Sequence, residues 1–127
     1  MLVEAESLGI RVADCSAGAH ASPELRPHVH ALGLDPAGVL AAGGDPVASV
    51  NEWGGRLAAA RLDDVSPTGM RIPPSVDGGG RLDLMGYKVA LSLAAPSTVA
   101  GVVVDVRQCA DPLSALQQAR SAWESIS

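Results

Sequence analysis

The chain has 127 residues and is 47% hydrophobic, long enough for one domain with its own core and too apolar to stay disordered. Its formal charge is −5 with nine scattered basic residues, which leaves no basic footprint for nucleic acid. No apolar run approaches the roughly 18–20 residues of a membrane span, and the opening MLVEAESLGIR has two glutamates and no early basic residue, unlike a secretory signal; a cytoplasmic protein is the expectation.

With no Phe, one Tyr and two Trp, the core must be built from Ala, Val and Leu. In chain order, MLVEAESL reads as the tail of a helix stopped by Gly9, and IRVADC (10–15) as a strand. Ser22-Pro23 opens a short helix toward His30, and ALGLD (31–35) is the next strand. Asp-Pro then occurs three times, at 35–36, 45–46 and 111–112. Asp accepts orphan N–H groups at an N-cap and Pro already has helical φ, so each pair predicts a helix start. Asp45-Pro46 opens VASVNEW, closed by Gly54-Gly55; RLAAARL (56–62) is a strand. The segment 64–80 is the one long irregular loop, of a length that is usually functional or mobile. Leu82 to Leu93 is a helix, with Asp83 near its start and Pro96 beyond its end. VAGVVVDVRQC (99–109) is a β-branched run that predicts a strand buried on both faces. After Asp111-Pro112, the residues Leu113, Leu116, Ala119, Trp123 and Ile126 form a helical stripe. Strand and helix alternate about four times, which predicts one α/β domain over 1–127 with a parallel sheet.

The candidate chemistry sits where strands end. Asp63 and Asp64 are adjacent, so on a strand they point to opposite faces and at most one reaches a site; the other is a loop-start cap. Asp35 is equally an N-cap and a site carboxylate. Asp105 interrupts VVVDVR, where burying a carboxylate costs several kcal/mol unless it is paired. Its natural partners are Arg61 on the neighbouring strand and Arg107 two residues on, on the same face. Cys15 and Cys109 lack metal-site spacing and read as free buried thiols. His20, His28 and His30 read as surface or packing residues. The glycines of VDGGGR are compatible with an anion nest, but the lysine of a P-loop is missing.

In order and spacing, GLDPAGVLAAGGDPVASVNEWGGRLAAARLDDV, GRLDLMGYKVAL, GVVVDVR and DPLSALQQARSAW resemble the C-terminal half of the xylose isomerase-like TIM barrels. That family includes sugar phosphate isomerases and epimerases and a DNA-repair endonuclease branch. The resemblance covers most of residues 9–126. It implies a partial (half) TIM barrel, with carboxylates and metal ligands at the C-terminal ends of the strands. Asp35 matches the sixth-strand acid, Arg61 falls where a seventh-strand ligand His is expected, and Asp64 matches the acid closing that phrase. Asp105 falls where the eighth-strand Glu is expected, and the fifth-strand Glu would lie near Asp14 or Cys15. The implied metal (Mn, Mg or Zn) would be held by Asp35 and Asp105. A guanidinium has no lone pair to give, however, so Arg61 breaks that metal site.

The resemblance implies a sugar or sugar-phosphate isomerase or epimerase. Asp105 and Asp64 would be its proton-transfer acids, and Arg61, Arg71 and Arg107 the cations that hold substrate oxygens. A full barrel takes roughly 250 residues, so a truncated descendant is expected, paired with a second copy or a missing half-barrel partner. The rival expectations are a non-catalytic binding or assembly module and a small flavodoxin-like domain.

Overall fold

A computed structural model describes residues 32–75, 77–96 and 101–126. The expected N-terminal helix tail, the strand IRVADC and the helix from Ser22-Pro23 lie outside the described residues, as do His20, His28, His30, Asp14 and Cys15.

All three Asp-Pro pairs open helices. Strand β1 (Leu32–Leu34) is wholly buried and leads into α1 (Pro36–Ala41). Asp35 caps α1 by accepting the Gly38 N–H at 3.2 Å. Asp45 does the same for α2 (Pro46–Trp53) through the Val47 N–H at 2.9 Å. Gly54, at φ 44°, ends α2 in a conformation that side chains disfavour, and a 3₁₀ turn (Gly54–Arg56) delivers β2 (Leu57–Leu62). Helix α3 (Leu84–Ala94) starts at the Asp83 cap, and α4 (Pro112–Ser125) at the Asp111 cap.

The sheet is parallel, in the order β1–β2–β5, where β5 is Val103–Val104. Leu32 pairs with Leu57 and Leu34 with Ala60, while Arg61 pairs with Val103. Among the described residues the fold is thus mixed α/β around a three-stranded parallel sheet. The core joins Leu32, Leu34, Val50, Trp53, Leu57, Tyr87 and Leu91, with α2 packed on α3 and on β1. Full burial of each such leucine is worth about 1.5–3 kcal/mol, so these aliphatic contacts set the position of every strand end. Helix α4 is fastened at its C-terminus. There Lys88 Nζ donates to the carbonyls of Trp123 (2.6 Å) and Ile126 (2.7 Å), acceptors a helix end leaves unmet.

Three segments differ from the sequence reading; in α4 the buried face is Ala115, Ala119 and Ala122, while Leu113 and Leu116 of the expected stripe are exposed. The run 99–109 was expected to be a strand buried on both faces. Within its described part only Val103–Val104 joins the ladder, and Val103 is 56% exposed. A run of valines signals β structure but not whether a layer covers it, and among the described residues nothing covers the face Val103 occupies. The loop 64–80 is also more ordered than expected. It carries a short antiparallel hairpin, β3 (Asp64–Val65) and β4 (Arg71–Ile72). Its turn is Ser66-Pro67-Thr68-Gly69: the Ser66 N–H donates to the Met70 carbonyl (2.8 Å), and the Gly69 N–H to the Ser66 carbonyl (2.9 Å). This fold-back returns Arg71 to the ends of β1 and β2.

Candidate functional site

Three strand ends meet at one rim. Asp35 follows β1, Asp63 follows β2, and Asp105 follows β5. Arg71 reaches in from β4. Its Nη1 donates to Asp35 Oδ1 (3.1 Å) and Asp63 Oδ2 (2.7 Å), and its Nη2 to Asp35 Oδ2 (2.6 Å). Asp63 Oδ1 also accepts the Ala37 N–H in the first turn of α1, at 3.1 Å. The two carboxylate side chains are only 8% and 5% exposed, and the guanidinium 35%. Among the described residues, one cation therefore serves two buried carboxyls.

Burial first, and that count second, set their ionisation. Burial pushes Asp63 up to about 7, and the adjacent charge of Asp35 adds to the rise; the Ala37 N–H and Arg71 oppose it without prevailing. For Asp35, burial acts in the same upward sense but is outweighed. Hydrogen bonds from Arg71, Asp63 and the Gly38 N–H hold it below the ordinary carboxylate value. The environments push the two groups apart, so the pair keeps one proton on Asp63 and one charge on Asp35.

A second cluster adjoins the first. Asp105 accepts from Arg107 Nε (2.9 Å), Arg107 Nη2 (2.6 Å) and the Arg107 N–H (3.2 Å), with Arg61 Nη1 at 3.6 Å. The Arg107 hydrogen bonds, helped by the charge of Arg61, hold Asp105 well below the usual carboxylate range. Asp105 is also close enough to raise Arg71. Between the clusters lies a small cavity of about 10 Å³, lined by Asp63, Arg71, Ile72, Asp105, Gln108 and Cys109. That is room for about one water.

The structure thus brings Asp35, Asp105, Arg61, Arg71 and Arg107 to one rim. Asp64 does not face it. Its Oδ1 accepts the N–H groups of Val65 (2.6 Å), Arg81 (2.9 Å) and Leu82 (2.8 Å), so it closes the base of the 64–80 loop. Gly80 passes so close to this carboxylate that any Cβ there would collide with it. Asp63, to which the resemblance gave no role, is the one at the rim. Arg71 is engaged by protein carboxylates, which the sequence reading missed; Ser-Pro-Thr-Gly, with Pro at the second and Gly at the fourth turn position, was the available signal.

Among the described residues no group of three or more His, Cys, Asp or Glu side chains is arranged to hold a metal ion. Both oxygens of Asp35 accept from Arg71, and both of Asp105 accept from Arg107. The donor atoms that the resemblance assigns to a metal are thus taken by guanidinium groups, and the arrangement does not fit a bound cation. What it can do is move a proton at Asp63 while fixed positive charge faces the same cavity. Comparison of the chain with protein-family models, with curated proteins and with solved structures gives no match.

Proposed function

We propose that the rim is an acid–base site of the isomerase or epimerase class, acting on a sugar or sugar phosphate. The sheet is then the strand set of a partial TIM barrel, completed by a second copy or by a separate half-barrel. The observation that carries this reading is the Asp35–Asp63–Arg71 cluster, in which a carboxyl with a pKa of about 7 opens on a cavity beside a cation. Such a group is both a competent base and a competent acid near neutrality. Asp63 takes a proton from a carbon next to a carbonyl and returns it to the neighbouring carbon on the same face, while the hydroxyl proton passes between the two enediolate oxygens; epimerisation would need a second acid on the opposite face. Asp105 is held ionised by its arginines, so it serves as fixed charge and not as the shuttle. Arg71 uses three N–H groups on carboxylates and keeps two of its five donors for a developing enediolate oxygen.

One observation favours the rival reading, a non-catalytic assembly module: the cavity admits only about one water. Incubation with a panel of aldoses, ketoses and their phosphates in heavy water separates the two. The enzyme reading requires deuterium at the carbon beside the carbonyl, detected by mass spectrometry and lost in Asp63→Asn. Wild-type protein that exchanges no substrate in the panel overturns it in favour of the assembly module.

A further inference from the structure

The second cluster has the opposite stoichiometry from the first. Two guanidinium groups, Arg61 and Arg107, face one carboxylate, Asp105. They line an open concavity of about 360 Å³ with Val103 and Val104. We propose that this concavity is an oxyanion-binding subsite, taking a phosphate group, with Asp105 as its internal counter-ion. It goes beyond the proton-transfer reading and stands without it.

Three features support the assignment. First, the local charge is +1 in a chain whose formal charge is −5, so an anion repelled by the rest of the surface is drawn to this face. Second, Arg61 is poorly satisfied. Its Nη1 lies 3.6 Å from Asp105, beyond hydrogen-bond length, and among the described residues its guanidinium makes no hydrogen bond, the Arg61 carbonyl alone accepting from Tyr87. A half-buried guanidinium with unmet donors gains charge-assisted hydrogen bonds from an arriving oxyanion. Third, the subsite is held in place from both sides. Arg61 pairs in register with Val103 on the adjacent strand, and the backbone N–H of Arg107 fixes the Asp105 carboxylate. Arg107 uses only two of its side-chain donors on Asp105, so the remaining ones are available to the same ligand.

The counter-ion gives the proposal a sign that a generally cationic patch lacks. Asp105 competes with the ligand for both arginines, so removing its charge strengthens binding. The test is calorimetric titration of inorganic phosphate and, separately, of acetate, into wild-type protein and into Arg61→Gln, Arg107→Gln and Asp105→Asn. Sodium chloride at matched ionic strength is the reference, and circular dichroism checks folding. The expected result is saturable phosphate binding, roughly tenfold weaker in each arginine variant and tighter in Asp105→Asn, with acetate weaker throughout. Arg107 is 77% exposed, so its variant reports on binding even if Arg61→Gln fails to fold. Acetate binding as tight as phosphate would reassign the subsite to carboxylates and overturn the phosphate assignment. Phosphate binding no better than the chloride reference, or unchanged in Asp105→Asn, overturns the subsite itself. Asp63→Asn should bind phosphate as the wild type does, so loss of proton exchange and loss of anion binding are separable results.

Discussion

The two charge clusters at the rim are built from the same residue types and behave in opposite ways. Around Asp63, two buried carboxyls share one guanidinium, and the outcome is a retained proton. Around Asp105, one carboxylate faces two guanidinium groups and stays ionised. The contrast shows that the ratio of cations to carboxyls, together with burial, sets ionisation here more than the presence of an arginine does. Burial also decides what each cluster is worth, because pairs in water contribute little and unpaired buried charge costs much.

The sharpest way to break this contrast is to remove the shared cation. Arg71→Met leaves two buried carboxyls without a counter-charge and should destabilise the protein by about 2–3 kcal/mol in urea unfolding, a value reduced for the one-third exposure of the guanidinium. The loss should be larger at pH 8 than at pH 5, where protonation relieves the pair. The next effect concerns the loop that supplies Arg71. Gly80→Ala places a methyl against Asp64 and should cost about 1–3 kcal/mol, with faster amide exchange in 64–72.

A further effect appears as a slope against pH. The folded protein holds the Asp63 proton up to about 7, whereas an unfolded aspartate releases it near 3.9. Between those values the folded state binds more protons, so stability falls as pH rises, by at most about 1.4 kcal/mol per pH unit. Asp63→Asn should flatten that slope, as measured by denaturant midpoints from pH 4 to 8. Asp105 has the reverse sign. Its lowered folded value gives stability that is present above the unfolded pKa and lost only as pH falls below it. At the bottom of the range, Arg107→Gln should leave the melting temperature at pH 7 within a degree or two, since its pairing is exposed to solvent.

Much of the scaffold was legible in the residues. Asp35-Pro36, Asp45-Pro46 and Asp111-Pro112 marked helix starts because capping and the fixed φ of Pro are local effects. The pairing of Asp105 with Arg107 was expected from strand alternation, but it is made just past β5, where the Arg107 N–H and guanidinium both close on the carboxylate. The choice between Asp63 and Asp64 was not legible. Alternation says only that they diverge; which one lies inside depends on a hairpin that returns Arg71 from eight residues away. The run around Val103 was over-read for a related reason, since covering a strand depends on distant elements that a hydrophobic pattern does not report.

The central claim is that Asp63 keeps its proton because burial disfavours its charged form and the neighbouring Asp35 charge adds to that, with one cation between the two. Carbon-13 NMR of aspartate carboxyls across pH 2–9, with assignments from Asp63→Asn and Asp105→Asn, tests it most directly. The account predicts that the Asp63 signal titrates with a midpoint near 7, while Asp105 stays ionised well into the acid range. A midpoint near 4 for Asp63, alongside that of an ordinary exposed aspartate, would contradict it.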